Sequence, residues 1–165
     1  MRANKRAELL EQLEPAVKEG LTKTEVLFFQ DIAERYRNEL ALERYTAGLD
    51  HVRVARWQEA ATAFEEALKI KGEATTAPST KLALAQAYRR LSRQRDAVPM
   101  LQTLSESTTD KEVQAAATWE LAQVEVEIQA WSDAKATLRA FLKKWPDHAR
   151  ANDARAQLAE VQAKH

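Results

Sequence analysis

Trp57-Gln58-Glu59-Ala60-Ala61-Thr62-Ala63-Phe64-Glu65-Glu66-Ala67-Leu68 places Ala60, Phe64 and Ala67 at spacings of three and four, the signature of one helix face and not of a strand. A shift of 37 residues brings the pattern back at Ala97, Leu101 and Leu104, and a second shift at Ala134, Leu138 and Phe141. An acidic residue precedes the small one each time: Glu59, Asp96, Asp133. Trp57 and Trp131 match each other, with Gln94 between them as the exception. The stretch upstream keeps the same register, with small residues at Gly48, Ala85 and Ala122 and apolar ones at Ala47, Leu84 and Leu121. One further step reaches Leu158 and Ala159, the start of a partial fourth unit. Self-similarity at a fixed period of this size marks a repeat array, in which each unit buries its apolar face only by stacking on the next.

Each unit reads as two amphipathic helices. The spacing predicts helices over 40–54 and 58–70 in unit one, 78–91 and 96–105 in unit two, 110–129 and 132–144 in unit three, and a last helix over 147–162. Thr22 with Glu25, and Thr109 with Glu112, have the form of capping boxes, and Pro78 suits a first helical turn. Asp147 is expected to cap the last helix. Pro99 fits a helix only if Asp96 is the cap, since the first-turn N–H groups lack partners anyway.

Composition narrows the class. The 165 residues include 25 Lys plus Arg and 25 Asp plus Glu, so the net charge is zero, without the broad positive field of a nucleic-acid binder. There is no cysteine, hence no disulfide framework and no thiolate chemistry. Only 3 Gly and 4 Pro agree with an almost wholly helical chain. No run approaches the ~18–20 apolar residues of a membrane span, so direct membrane insertion is not expected. The N-terminus lacks the apolar core of a signal peptide. A cytoplasmic protein, or the soluble domain of a membrane-anchored or exported one, is the expectation.

These residues resemble the tetratricopeptide repeat, whose units of about 34 residues pair two helices. Gly48, Trp57, Ala60, Phe64 and Ala67 carry the resemblance in unit one. Leu84, Ala85, Tyr88, Ala97 and Leu101 carry it in unit two, and Leu121, Ala122, Ala134, Leu138 and Pro146 in unit three. His51 and Glu125 depart from the usual tyrosine at one position. The resemblance implies an all-α, right-handed α-α superhelix over 41–163, with units at about 41–77, 78–114 and 115–146 and a capping helix at 147–163. Residues 1–40 form a helical extension without the motif. In it, Leu9, Leu10, Leu13 and Val17 line a first helix that Gly20 ends. Val26, Phe29, Ala33, Tyr36 and Leu40 then lie as on a coiled-coil seam, on a helix that either turns near Asn38 or, as nothing in the sequence forces a turn, runs unbroken into unit one.

Catalytic signatures are absent: no glycine-rich phosphate loop, no nucleophile elbow, no paired-histidine metal motif. Asp147, His148 and Asp153 read as a cap and surface residues, so neither metal nor cofactor is expected. Glu65–Glu66 and Glu125–Glu127 read as solvated carboxylates with no reason for a raised pKa. The arginines at 89, 90, 93 and 95 form the one dense basic patch. The resemblance places Leu42, Tyr45, Leu49, Val52, Leu82, Gln86, Arg89, Trp119, Gln123 and Val126 on the concave face. The Lys and Asn residues that clamp a C-terminal carboxylate in some family members are replaced by Tyr45, Leu49, Ala83, Ala116 and Glu120. The expected site is therefore Tyr45, Leu49, Leu82, Gln86, Arg89, Arg90, Trp119 and Gln123. Its expected occupant is an apolar or amphipathic segment of another protein, with the arginines selecting acidic character at one end. The alternatives are a groove covered by the chain's own N-terminal helix, and a structural element in which residues 1–40 drive self-association or attachment to a membrane-anchored assembly.

Overall fold

The structure, a computed structural model, describes residues 8, 22–72 and 76–165. Its regular elements among the described residues are helices alone: α1 Lys23–Arg53, α2 Trp57–Ile70, α3 Ala77–Arg90, α4 Gln94–Ser107, α5 Lys111–Glu127, α6 Trp131–Lys144 and α7 Ala151–Lys164, with no strand. The expected stripe of Leu9, Leu10, Leu13 and Val17 lies outside the described residues. α1 runs unbroken through position 40, as expected of a stretch with no helix breaker. Thr22 and Glu25 form the expected capping box at its start, each satisfying a backbone N–H of the other.

Three helix starts differ from expectation. α5 is capped by Asp110, whose carboxylate accepts from the Glu112 and Val113 N–H groups, and not by Thr109. α4 begins at Gln94, two residues before Asp96, so Pro99 falls beyond the first turn. The missing proline N–H deprives the Arg95 carbonyl of a partner, but both residues are exposed and water can serve instead. Asp147 does not cap α7; the helix starts at Ala151, and the His148 ring nitrogen Nδ1 accepts from the Arg150 N–H at 3.1 Å. A short side chain followed by three non-helical residues is out of reach of the first helical N–H groups.

The turns within units repeat as faithfully as the helices. Ala55, Ser92 and Gln129, 37 residues apart, all take left-handed backbone, with φ of 56°, 59° and 62°. Around each runs the same pair of hydrogen bonds: Arg56 N–H to the His51 carbonyl and Ala55 to Val52, then Arg93 to Tyr88 and Ser92 to Arg89, then Ala130 to Glu125 and Gln129 to Val126. This is the Schellman ending, which satisfies otherwise orphaned carbonyls and turns the chain back within three residues.

Packing follows the small-residue register. Ala60, Ala97 and Ala134 are fully buried, as are Phe64 and Leu138, with Leu101 nearly so. Each helix packs on the next, and α3 also packs on α5. One core cluster, around Phe64, Leu84, Leu101 and Leu121, spans units one to three; a second, around Trp119, Leu138, Phe141 and Ala154, ties unit three to α7. Not all the aromatics lie in this core. Trp57 and Trp131 begin α2 and α6 half-buried, Trp131 stacked on His165 at 3.8 Å. No helix among the described residues is long and apolar enough to cross a membrane.

Candidate functional site

Leu42, Tyr45, Leu49 and Val52 lie at spacings of three and four on α1. Leu42 is 50% exposed, while Tyr45, Leu49 and Val52 are half-buried against the first core cluster, the Tyr45 ring 5.9 Å from that of Phe64. Leu82 on α3 packs half-buried on the same cluster. α3 and α5 pack directly on one another, whereas α1 and α3 touch marginally at most, which leaves a cleft between the first two units. At its end lies a pocket of about 200 Å³ lined by Val52, Trp57, Gln86, Arg89, Arg90 and Glu120.

The structure thus brings Gln86, Arg89 and Arg90 together, but in unequal states. Arg89 donates to Glu120 at 2.9 Å and to Glu127 at 2.6–2.7 Å. Burial disfavours its charge, yet the hydrogen bonds and charges of Glu127 and Glu120 outweigh that and raise its pKa. Gln86 donates to Glu120 at 3.3 Å. Arg90 is exposed, lies over the Trp57 ring at 5.6 Å, and makes no ion pair among the described residues. Of the two arginines that line the pocket, Arg89 is engaged by the two glutamates and Arg90 is the one that makes no ion pair among the described residues. Arg93 is held by Asp96 at 2.8 Å, near Glu65, with its guanidinium 4.1 Å from the Tyr88 ring centre.

The far end of the expected site is closed. Trp119 is only 8% exposed, its ring packed 5.9 Å from Phe141 with the Arg150 guanidinium over its face at 5.3 Å. Gln123 and Gln157 exchange amide hydrogen bonds of 2.6 and 3.2 Å between α5 and α7. Tyr45, Leu82 and Trp119 therefore share a register position without sharing exposure: the capping helix covers the third.

Glu125 corrects the reading of the carboxylates. It is 4% exposed, its Oε2 has no hydrogen-bond partner, and burial pushes its pKa up, reinforced by Asp133 and opposed by the Thr137 hydroxyl. Tyr88 stands at the same register position in unit two. There it donates to Glu65 at 2.7 Å, and burial with that carboxylate raises its pKa to about 12. The departure from tyrosine at 125 was visible as a departure, but its burial depends on which helix face meets α4 and α6.

No group of three potential metal ligands forms among the described residues. His148, one of the residues considered for a metal, packs its ring against Phe141 at 5.3 Å. The fold defines a class: an all-α, helical repeat-like stack, with a pocket where the first two units meet. No protein-family model and no curated protein matches the chain.

Proposed function

We propose that this chain is a non-catalytic interaction module of the tetratricopeptide-like class, wound as a right-handed superhelix. It takes an apolar or amphipathic segment of another protein between α1 and α3. The observation that supports this is the contrast between the two ends of one register stripe. Leu42, Tyr45, Leu49 and Leu82 stay open or half-open, while the third-unit positions are sealed by Arg150 and Gln157. Large amphipathic side chains are favoured where a partner docks, and Tyr45 is one. Arg90 at the pocket end selects an acidic flank, and the segment needs no cofactor. The test is a binding titration with the partner captured by immobilised chain, comparing wild type with Leu42→Asp and Arg90→Glu. Both variants change exposed residues and should stay folded; loss of affinity in both is expected. Unchanged affinity in both would remove the cleft from consideration.

A second reading has its own observation. Leu27 and Phe28, on the first turns of α1, are 66% and 62% exposed. Self-association through this end of α1 would cover them. Molar mass measured across a dilution series decides: a constant monomer mass contradicts this reading, and a concentration-dependent mass lost in Leu27→Asp/Phe28→Asp supports it.

A further inference from the structure

α7 starts differently from the other capped helices of the stack. The Thr22 hydroxyl caps α1 and the Asp110 carboxylate caps α5, oxygen acceptors that stay available throughout the neutral pH range. The register mate of Asp110 is Asp147, 37 residues on, but α7 begins only at Ala151. An imidazole takes the carboxylate's place. His148 Nδ1 accepts from the Arg150 N–H at 3.1 Å, and the His148 carbonyl accepts from the Ala151 N–H at 2.8 Å. Arg150 itself supplies no capping side chain. The start of α7 is thus tied to one ring nitrogen.

That nitrogen belongs to a closed circuit of contacts. The His148 ring packs against Phe141 at 5.3 Å, Phe141 lies 5.9 Å from Trp119, and the Arg150 guanidinium returns over the Trp119 face at 5.3 Å. Nδ1 accepts only while it carries no proton. Protonation turns the acceptor into a donor aimed at another N–H, and it places a positive charge at the positive end of the α7 dipole. Both changes loosen the same turn. Around the ring, α6 brings Lys144, which donates to Gln114 and lies 4.9 Å from the Trp145 ring centre, and α5 brings the uncharged Trp119. The turn and α7 bring Asp147, Arg150, Asp153 and Arg155, the last donating to the Pro146 carbonyl at 3.1 Å. The two carboxylates temper an added charge, but they cannot give Nδ1 back its lone pair.

We propose that His148 is a pH-sensitive latch on the capping helix: neutral, it holds the first turn of α7 and keeps Arg150 over Trp119; protonated, it releases that turn and uncovers Trp119. Histidine exchanges its proton between about pH 5 and 8. The tie is therefore complete above that range and lost as the pH falls through it. The opening is local, because Ala154, Leu158 and Val161 still seat the rest of α7. Its consequence lies on the inner stripe of the stack. Trp119 stands at the register position of Tyr45 and Leu82, so acidification exposes the third member of a row whose first two are already half-open.

Amide exchange on the full chain, corrected for the intrinsic effect of pH at each residue, tests this between about pH 8 and about pH 5. Wild type should lose about fivefold in protection over the first turn of α7 at the lower pH, the factor that a lost helix cap corresponds to. His148→Asn keeps an acceptor for the N–H two residues on but does not titrate, so its protection should stay level. His165, stacked on Trp131 near the far end of α7, is the same in both proteins, so its effect cancels. The Trp119 indole N–H resonance should move over the same pH range in wild type and stay in place in His148→Asn. The proposal is overturned if wild type keeps its protection at the lower pH, or if His148→Asn loses it to the same extent. It is overturned equally if the Trp119 resonance stays in place while the turn opens.

Discussion

Gly48 lies flat against the Phe64 ring: a β-carbon there would come within 2.3–2.8 Å of three of its atoms, far inside contact distance. The other two units solve the same crossing with Ala85 and Leu101, and with Ala122 and Leu138, a larger residue on one helix and a smaller one on the other. Gly48→Ala should therefore destabilise by about 1–2 kcal/mol, since overpacking outweighs the ~1 kcal/mol that alanine gains in helix propensity. Adding Phe64→Leu, which reproduces the pairing of the other units, should recover much of that loss. Urea unfolding of the two single variants and the double variant checks it, and a Gly48→Ala variant as stable as wild type would contradict the contact. Glu125 gives a second test at this scale. Its folded pKa lies above the ordinary value of 4.5 because of burial, so its share of stability is complete below that value and is lost as pH rises through the folded pKa. Carboxylates held below their ordinary value, such as Glu25, Glu34 and Glu160, follow the opposite trend and are common to both proteins, so they cancel in a comparison. The stability of Glu125→Gln relative to wild type should thus increase with pH above 4.5 and then level off. A pH-independent difference would mean that Glu125 is solvated.

Helix pairs are closed by left-handed residues that are not glycine. Alanine, serine or glutamine in this conformation costs ~1–2 kcal/mol against a right-handed one, a cost glycine avoids at the expense of a more flexible unfolded chain. Ala55→Gly, Ser92→Gly and Gln129→Gly should each stabilise by about 0.5–1 kcal/mol. The three turns are separate, so their effects should add in thermal unfolding. A glycine variant less stable than its parent would mean that the turn is not the one described. These turns also show where reading a sequence runs out. Helix interiors were legible because the apolar spacing is strict, and six of the seven helices differ from their predicted ends by no more than two residues at the well-marked ends. The turn type was not, because no glycine announces it. The start of α7 was missed by four residues, since Asp147 has the chemistry of a cap and only the path of the chain from Pro146 to Arg150 denies it that role.

At the scale of the molecule, α7 closes the stack. It buries Ala151, Ala154 and Val161, with Leu158 partly buried on the cluster that holds Trp119, Leu138 and Phe141, and turns Asn152, Asp153, Arg155 and Glu160 outward. Terminal units of repeat stacks need such a polar outer face. Deleting residues 147–165 should uncover that cluster and produce aggregation visible by light scattering; a soluble, equally stable truncation would contradict the capping role. The candidate cleft was only partly legible. The 37-residue register located the inner-helix positions, but Gln86, Arg89 and Gln123 meet partners one unit away, on Glu120, Glu127 and Gln157. Periodicity names a face; it does not say which residues of that face are already engaged by the next unit.

Hydrogen–deuterium exchange of the chain alone and with its captured partner tests the central claim most directly, because it maps the contact without altering a residue. Binding in the cleft predicts new protection confined to the adjoining parts of α1 and α3, around Leu42–Val52 and Leu82–Arg90, with α5 and α7 unchanged. Protection confined to α4–α7, with α1 and α3 exchanging as in the free chain, would contradict it.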